Sequence, residues 1–264
     1  MTQSDTVTIL FIADIVGKPG FDVLNTFLPG LLKKHRVDLC IANGENGAKG
    51  RGLTEQIARN YFNIGVDVVT GGNHSWNVAA FRRYLDTTSR VLRPLNYPEE
   101  TPGHGSTLVQ TKSGHHIGVI NLQGRTFMYP IDCPFKTGLE EVERLRQKTN
   151  IIFIDVHAEA TAEKLALAWY LDGKISALVG THTHIQTADE RILPRGTAYI
   201  TDVGMTGPND SVIGLEVNVA IKRFITQIPE KYVIATSNNR LNGVLVAIDA
   251  ASGRAKSIER VNLP

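Results

Sequence analysis

The chain has 264 residues, 42% of them hydrophobic, with 28 basic against 26 acidic side chains and a formal charge of +2. That balance gives no electrostatic case for nucleic acid or an anionic membrane as the main partner, and no apolar run approaches the roughly 18 residues of a bilayer span. Two cysteines, Cys40 and Cys133, are too few for a disulfide framework at this length, and Met1-Thr2-Gln3-Ser4-Asp5 lacks the basic region of a signal peptide. The composition describes a reduced, cytoplasmic enzyme or binding protein, with Cys40 buried in a strand, and leaves a homo-oligomer open.

Residues 7–13 form a near-continuous apolar run rich in branched side chains, the pattern of a strand buried on both faces, and it ends at Asp14. Phe21, Leu24, Leu28, Leu31 and Leu32 then recur at helical spacing. Residues 38–42 give a second strand, which ends in the polar, glycine-rich loop Asn43-Gly44-Glu45-Asn46-Gly47. Ile57, Tyr61 and Ile64 mark a helix, residues 66–69 a third strand, and Gly71-Gly72-Asn73-His74 a sharp turn before a helical pattern near Asn77. Strand and helix alternating at this spacing imply right-handed parallel crossovers and an α/β sheet. In such sheets ligands collect outside the carboxyl ends of the strands.

The middle of the chain is less regular. Pro94, Pro98 and Pro102 mark a loop, and residues 105–122 read as a hairpin turning at Lys112-Ser113-Gly114. A helix over 139–148 leads to the apolar strand Ile151-Ile152-Phe153-Ile154, which runs into Asp155-Val156-His157. A helix over 161–171 precedes Ala177-Leu178-Val179 and then Gly180-Thr181-His182-Thr183-His184. Residues 197–201 read as a strand entering a loop over 202–208; a helix over 217–228 and two or three strands with a Ser252-Gly253 turn close the chain. With no internal repeat and no linker, residues 1–264 read as one domain.

Collected by position, the strand ends carry Asp14, Glu45 with Asn46, Asn73 with His74, His157, and His182 with His184. Each alone has an ordinary explanation, such as a helix cap, a solvated loop charge or a core histidine. Together, five strand ends bearing only Asp, Glu, Asn and His describe a metal centre. His182 and His184 are two apart, a spacing that in an extended segment points both rings to one face. The set is too large for one zinc, which takes four ligands. Two ions sharing a carboxylate fit the count, and such centres serve phosphoryl hydrolysis.

Gly72-Asn73-His74, His157 and Gly180-Thr181-His182-Thr183-His184 resemble the motifs of the calcineurin-like metallophosphoesterases. Asp14-Ile15-Val16-Gly17, Asn43-Gly44-Glu45-Asn46, Asp155-Val156-His157-Ala158-Glu159-Ala160-Thr161 and Asp202-Val203-Gly204-Met205-Thr206-Gly207 are similar to its bacterial YmdB-like branch. The resemblance implies an α/β fold of the four-layer α/β/β/α sandwich type and a phosphodiesterase acting on small cyclic nucleotides, 2′,3′-cyclic and 3′,5′-cyclic AMP among them. It implies Asp14, Glu45, Asn46 and His184 as ligands of one metal. Glu45, Asn73, His157 and His182 would hold a second, with Glu45 bridging. The chain departs from the wider superfamily at Val16, where a histidine is common, and at Glu45, where an aspartate usually bridges. Oxygen-rich ligation with imidazoles suits two divalent or mixed-valence ions, iron or manganese, with zinc as a third candidate.

The chemistry expected from this set is in-line attack on phosphorus by a metal-activated hydroxide, with His74 protonating the leaving alkoxide as general acid. Two other readings compete. One is a phosphomonoesterase or nucleotidase on the same metals, and the other is a regulatory protein that keeps the site to bind a nucleotide.

Overall fold

The computed structural model describes residues 5–264; the segment 1–4, which carries most of the stretch read as lacking a signal peptide, lies outside the described residues. In the first half the elements follow the expected alternation. Strand β1 (Thr6–Ile12) and the short β2 (Asp14–Ile15) lead into α1 (Gly17–Lys34), then β3 (Leu39–Asn43), α2 (Glu55–Asn63) and β4 (Val68–Thr70). Thr54 caps α2, its hydroxyl accepting from the Ile57 amide at 3.2 Å. The helix expected from Asn77 shrinks to a 3-10 turn at Ala79–Phe81 and the four-residue α3 (Arg82–Leu85). The amides of Ser75 and Asn77 close turns onto the Gly72 and His74 carbonyls, and the Ser75 hydroxyl also bonds Gly72, so polar side chains compete with helix formation there.

The hairpin is β5 (Ser106–Gln110) with β6 (His116–Gln123), and α4 (Pro134–Arg146) starts five residues before Leu139 because Pro134 occupies its first turn. Then come β7 (Ile151–His157), α5 (Thr161–Leu171), β8 (Ala177–Thr181), β9 (Arg191–Ile192), β10 (Ala198–Ile200) and β11 (Met205–Pro208). Helix α6 (Val217–Thr226), β12 (Asn239–Asp249) and β13 (Ala255–Leu263) complete the chain. The segment expected as a loop over 202–208 is therefore half strand. Its β11 pairs in parallel with β2, Met205 opposite Asp14.

The strands form two sheets. One runs β2-β11-β12-β1-β3-β4 with β13 on β12, and the other runs β5-β6-β7-β8-β10-β9. The first is mixed, since β12 runs antiparallel to β1 along the whole length of β1 while β1, β3 and β4 are parallel. Ile9, Phe11, Val119, Phe153, Val179 and Val246 pack between the sheets, where the Phe11 and Phe153 rings stack at 5.6 Å. The alternate residues Leu10 and Ile12 face outward with Leu24, Leu28 and Tyr61 of the first helical layer, while Ile152 and Ile154 meet Val142, Leu167 and Leu171 of the second. A strand covered on both faces is apolar where the layers cover it, which is why β1 carries the apolar run 9–12 and β7 the run 151–154. The layers are α/β/β/α. Cys40 is buried in β3, and among the described residues no helix is long and apolar enough to cross a membrane.

Candidate active site

Every candidate residue lies at one edge of the two sheets. Asp14 opens β2, Glu45 and Asn46 follow β3, Asn73 and His74 follow β4, His157 ends β7, and His182 and His184 follow β8. The approach is close enough that the turn after β4 requires glycine: a Cβ on Gly72 would overlap the His157 ring and the Glu45 carboxylate.

Two groups of side chains meet at Glu45. In the inner group, His157 Nε2 lies 3.0 Å from Glu45 Oε1, 3.0 Å from Asn73 Oδ1 and 2.9 Å from His182 Nδ1. Ligand atoms of Glu45, His157 and His182 all fall within 4.8 Å of one another. In the outer group, Asn46 Nδ2 lies 3.3 Å from Asp14 Oδ1, 3.4 Å from Glu45 Oε1 and 3.3 Å from His184 Nε2, with His184 Nε2 4.0 Å from Asp14. Glu45 Oε1 is common to both groups. Its other oxygen, Oε2, accepts the His74 amide at 3.0 Å.

The expectation that His182 and His184 reach one face from an extended segment is wrong. Both residues take left-handed backbone, φ 99° and 66°. The two rings consequently diverge, His182 to His157 and His184 to Asn46. The kink is held by hydrogen bonds, since Asp14 Oδ2 accepts the His182 amide at 3.1 Å and Asp202 Oδ2 accepts the Thr183 amide at 3.0 Å.

Residues that sequence reasoning missed support this arrangement. Thr181 Oγ1 donates to Asp155 Oδ1 at 2.7 Å and accepts from His157 Nδ1 at 3.0 Å, which leaves the Nε2 lone pair for the site. Asp155 Oδ2 also accepts from Thr70 Oγ1 at 2.5 Å and Asn43 Nδ2 at 3.1 Å. His184 Nδ1 donates to the Ile213 carbonyl at 3.0 Å and likewise turns Nε2 inward. The fully buried Lys164 donates to Asp202 Oδ2 and to the Thr181 carbonyl, both at 2.8 Å, and so braces both sides of the kinked segment. Asp155 had a signal: two residues before His157 in a strand, it shares that histidine's face.

The electrostatics are those of a cation site. Burial raises the Asp14 carboxyl, its largest influence. Burial also opposes ionisation of Glu45, but the His157 charge and the His74 amide carry it down to about 2. His157 goes upward against its burial because Glu45, Asp14 and Asp155 surround it. Burial and the His157 charge hold His182 down to about 3, a neutral ring. Two buried carboxylates beside imidazoles with inward lone pairs are a donor set suited to a cation, which would compete there with a proton. The outer group gives a second indication, because one amide nitrogen there faces three acceptors with only two hydrogens; an amide flip presents the Asn46 oxygen instead. A cavity of about 600 Å³ opens over the site, lined by Glu45, Asn46, His74, His182 and His184 with Arg51 and Arg223 on its wall.

Known proteins resemble this chain over nearly its whole length. A 2′,3′-cyclic-nucleotide 2′-phosphodiesterase of Bacillus subtilis is 49% identical over 253 residues, 96% of each chain. A Thermus thermophilus protein of known crystal structure is 40% identical, superposes with a TM-score of 0.90 and is covered over 98% of this chain and 100% of its own. The crystal structure of a Mycoplasma pneumoniae protein described as a novel phosphatase is 32% identical with a TM-score of 0.92, over 98% of this chain and 93% of its own. A family model described as YmdB-like protein matches residues 10–261, and the chain belongs to that family.

Proposed function

We propose that the protein hydrolyses 2′,3′-cyclic nucleotides, with 3′,5′-cyclic AMP as a second substrate, at a site that holds two transition-metal ions. It is a phosphoric diester hydrolase. Asp14, Glu45, Asn46 and His184 would hold one ion, and Glu45, Asn73, His157 and His182 the other, with iron or manganese favoured by the mixed oxygen and imidazole donors. The observation that carries this reading is the single oxygen, Glu45 Oε1, standing within 3.4 Å of both Asn46 and His157. Bound there, the ions supply a positive field that acidifies water and offsets charge developing on the phosphoryl oxygens.

The chain's own groups supply position and a proton. The turn at Gly71-Gly72 sets Asn73 into the inner group and leaves the next side chain, His74, on the cavity wall. Asn77 Nδ2 donates to His74 Nδ1 at 3.0 Å, which fixes the ring and turns Nε2 toward Asn73. Burial, reinforced by Arg51, keeps the His74 ring below its ordinary pKa, while Glu45 opposes that shift. An anionic phosphodiester in the cavity adds to the Glu45 effect and favours the acid form. Both ring nitrogens then donate, and the Asn77 amide meets Nδ1 with its oxygen after a flip. In that form Nε2 delivers its proton to the leaving ribose oxygen.

Steady-state kinetics on 2′,3′-cyclic AMP and on AMP, before and after chelator treatment and metal restoration, test the proposal. The cyclic diester is expected to have the higher kcat/KM, and activity is expected to follow metal content toward two ions per chain. A clear advantage for AMP would favour the nucleotidase reading, which has its support in the Mycoplasma relative described as a phosphatase.

A further inference from the structure

A second cleft, separate from the main cavity, has Asn73 on its wall. It encloses about 560 Å³ and is walled by Asn73, Trp76, Asn77, Arg82, Tyr97 and Tyr129. None of these carries a carboxylate, and three are aromatic. The Trp76 and Tyr97 rings lie 4.4 Å apart at 51°. Both are tied down at their polar ends: Trp76 Nε1 donates to the Pro102 carbonyl and Tyr97 Oη to Gln123 Oε1, each at 3.1 Å. Arg82 Nε donates to the Trp76 carbonyl at 3.0 Å. The loop carrying Tyr97 is fixed in turn, because Asn96 accepts the Gln123 amide at 3.0 Å and donates to its carbonyl at 2.8 Å. Tyr129 forms the open rim, 67% exposed, and Phe127 beside it is 88% exposed.

Rigid aromatic faces with one guanidinium and amide groups make a surface for a flat heteroaromatic ring, because every base has a π-face and stacking on aromatics is insensitive to its sequence. The main cavity is lined differently: Arg51 lies over the face of Tyr232, 5.3 Å from the ring centroid, and Arg223, the exposed Phe224 and aliphatic side chains stand with them. The aromatic cleft is also within reach along the substrate. The oxygen that leaves phosphorus belongs to the ribose, so the base sits one sugar away from whichever group protonates that oxygen. His74 and the cleft residue Asn77 are joined directly by the hydrogen bond described above.

We propose that this cleft is the nucleobase subsite, in which the base of a cyclic nucleotide stacks on the Trp76–Tyr97 pair beneath Tyr129 while its cyclic phosphate lies over Asn73. The inference rests on the phosphodiesterase reading and adds to it a site for recognition. Purines, with the larger π-face, are the preferred bases.

The test compares 2′,3′-cyclic AMP with 1-O-methylribose 2,3-cyclic phosphate, which keeps the cyclic ester and lacks a base. Tyr97→Ala and Tyr129→Ala are expected to raise KM for cyclic AMP by roughly 10-fold each while kcat changes little. Both should leave kcat/KM for the baseless ester within about twofold, the figure expected when only base stacking is removed. Tyr129 is largely exposed, so its variant separates recognition from folding even where Tyr97→Ala misfolds. Equal losses on both esters, or no loss on either, would overturn the subsite. So would a selective loss in Phe224→Ala with none in Tyr129→Ala, which would place the base in the main cavity. A wild-type protein that hydrolyses neither ester overturns the phosphodiesterase reading itself, a result distinct from all of these.

Discussion

His157 and His184 stand on opposite sides of Glu45, and the fold holds them by different means. His157 is fully buried and oriented through Thr181 to Asp155, whose carboxylate also takes Thr70 and Asn43, so its ring is referred to the ends of four strands. His184 is oriented by one backbone carbonyl, that of the exposed Ile213, itself in left-handed backbone at φ 47°. His157 is thus fixed by side chains at the strand ends, whereas His184 depends on a loop. The placement of the His184 ring can change with that loop; that of the His157 ring belongs to the fold.

Substitutions at graded distances from Glu45 break or sharpen this contrast. Glu45→Gln should have the largest effect, a loss on the order of 10³-fold or more in turnover with both ions depleted, because it removes the charge shared by the two groups. Metal analysis beside steady-state rates checks it; retention of both ions at normal rates would show that Glu45 is no bridge. Lys164→Met comes next. It leaves Asp202 buried without its cation, at a cost of about 3–5 kcal/mol in stability, and releases the brace behind both histidines. Denaturant unfolding measures the first effect and metal titration of the folded fraction the second, where losses are expected in both groups together.

His74→Ala should lower turnover on cyclic AMP by roughly 10²-fold, the lower end for a general acid, with both ions retained. The loss should be far smaller on a p-nitrophenyl phosphodiester, whose leaving group needs no proton. Equal losses on the two substrates would move His74 out of the acid role. Asp155→Asn is the smallest and the most discriminating. It keeps the shape, weakens the support of Thr181 and His157, and should cost about 10-fold in metal affinity, the lower end for outer-sphere partners. That loss should fall on the inner ion alone, as read by stepwise metal titration, and a loss spread evenly over both ions would refute the separation of the two groups.

Much of the edge that carries the site was legible because a strand buried on both faces must be apolar, and the first polar residue after such a run marks where it leaves the core. Asp14 and Asn43 stand out from the sequence for that reason, and Thr70 and Asp155, which end the two later runs, point to Asn73 and His157 within three residues of them. The division into two sheets was not legible, since Ile9 and Leu10 face different layers yet have the same apolar character. Nor was the kink at His182 and His184: nothing in those residue types asks for positive φ, which is imposed by Asp14 and Asp202 from distant parts of the chain. Lys164 was overlooked although its position is informative. It occupies the buried stripe of α5 with Leu167, Ala168 and Leu171, where a lysine needs a partner, and Asp202 is that partner.

The place of β12 bears on how the protein is made. It pairs with β1 from Thr6 opposite Asp249 to Ile12 opposite Gly243, so two neighbours in the first sheet come from opposite ends of the described chain. A ribosome delivers β1, β3 and β4 early and β12 among the last, and until then one side of β1 remains an open edge of apolar strand. Contacts of such long sequence separation form slowly, and an open edge invites pairing with other chains. The second sheet, whose strands all lie between Ser106 and Ile200, can pair within a shorter stretch. The nascent chain therefore has a finished sheet waiting beside an unfinished one, and chaperone dependence during synthesis should concentrate on residues 6–70.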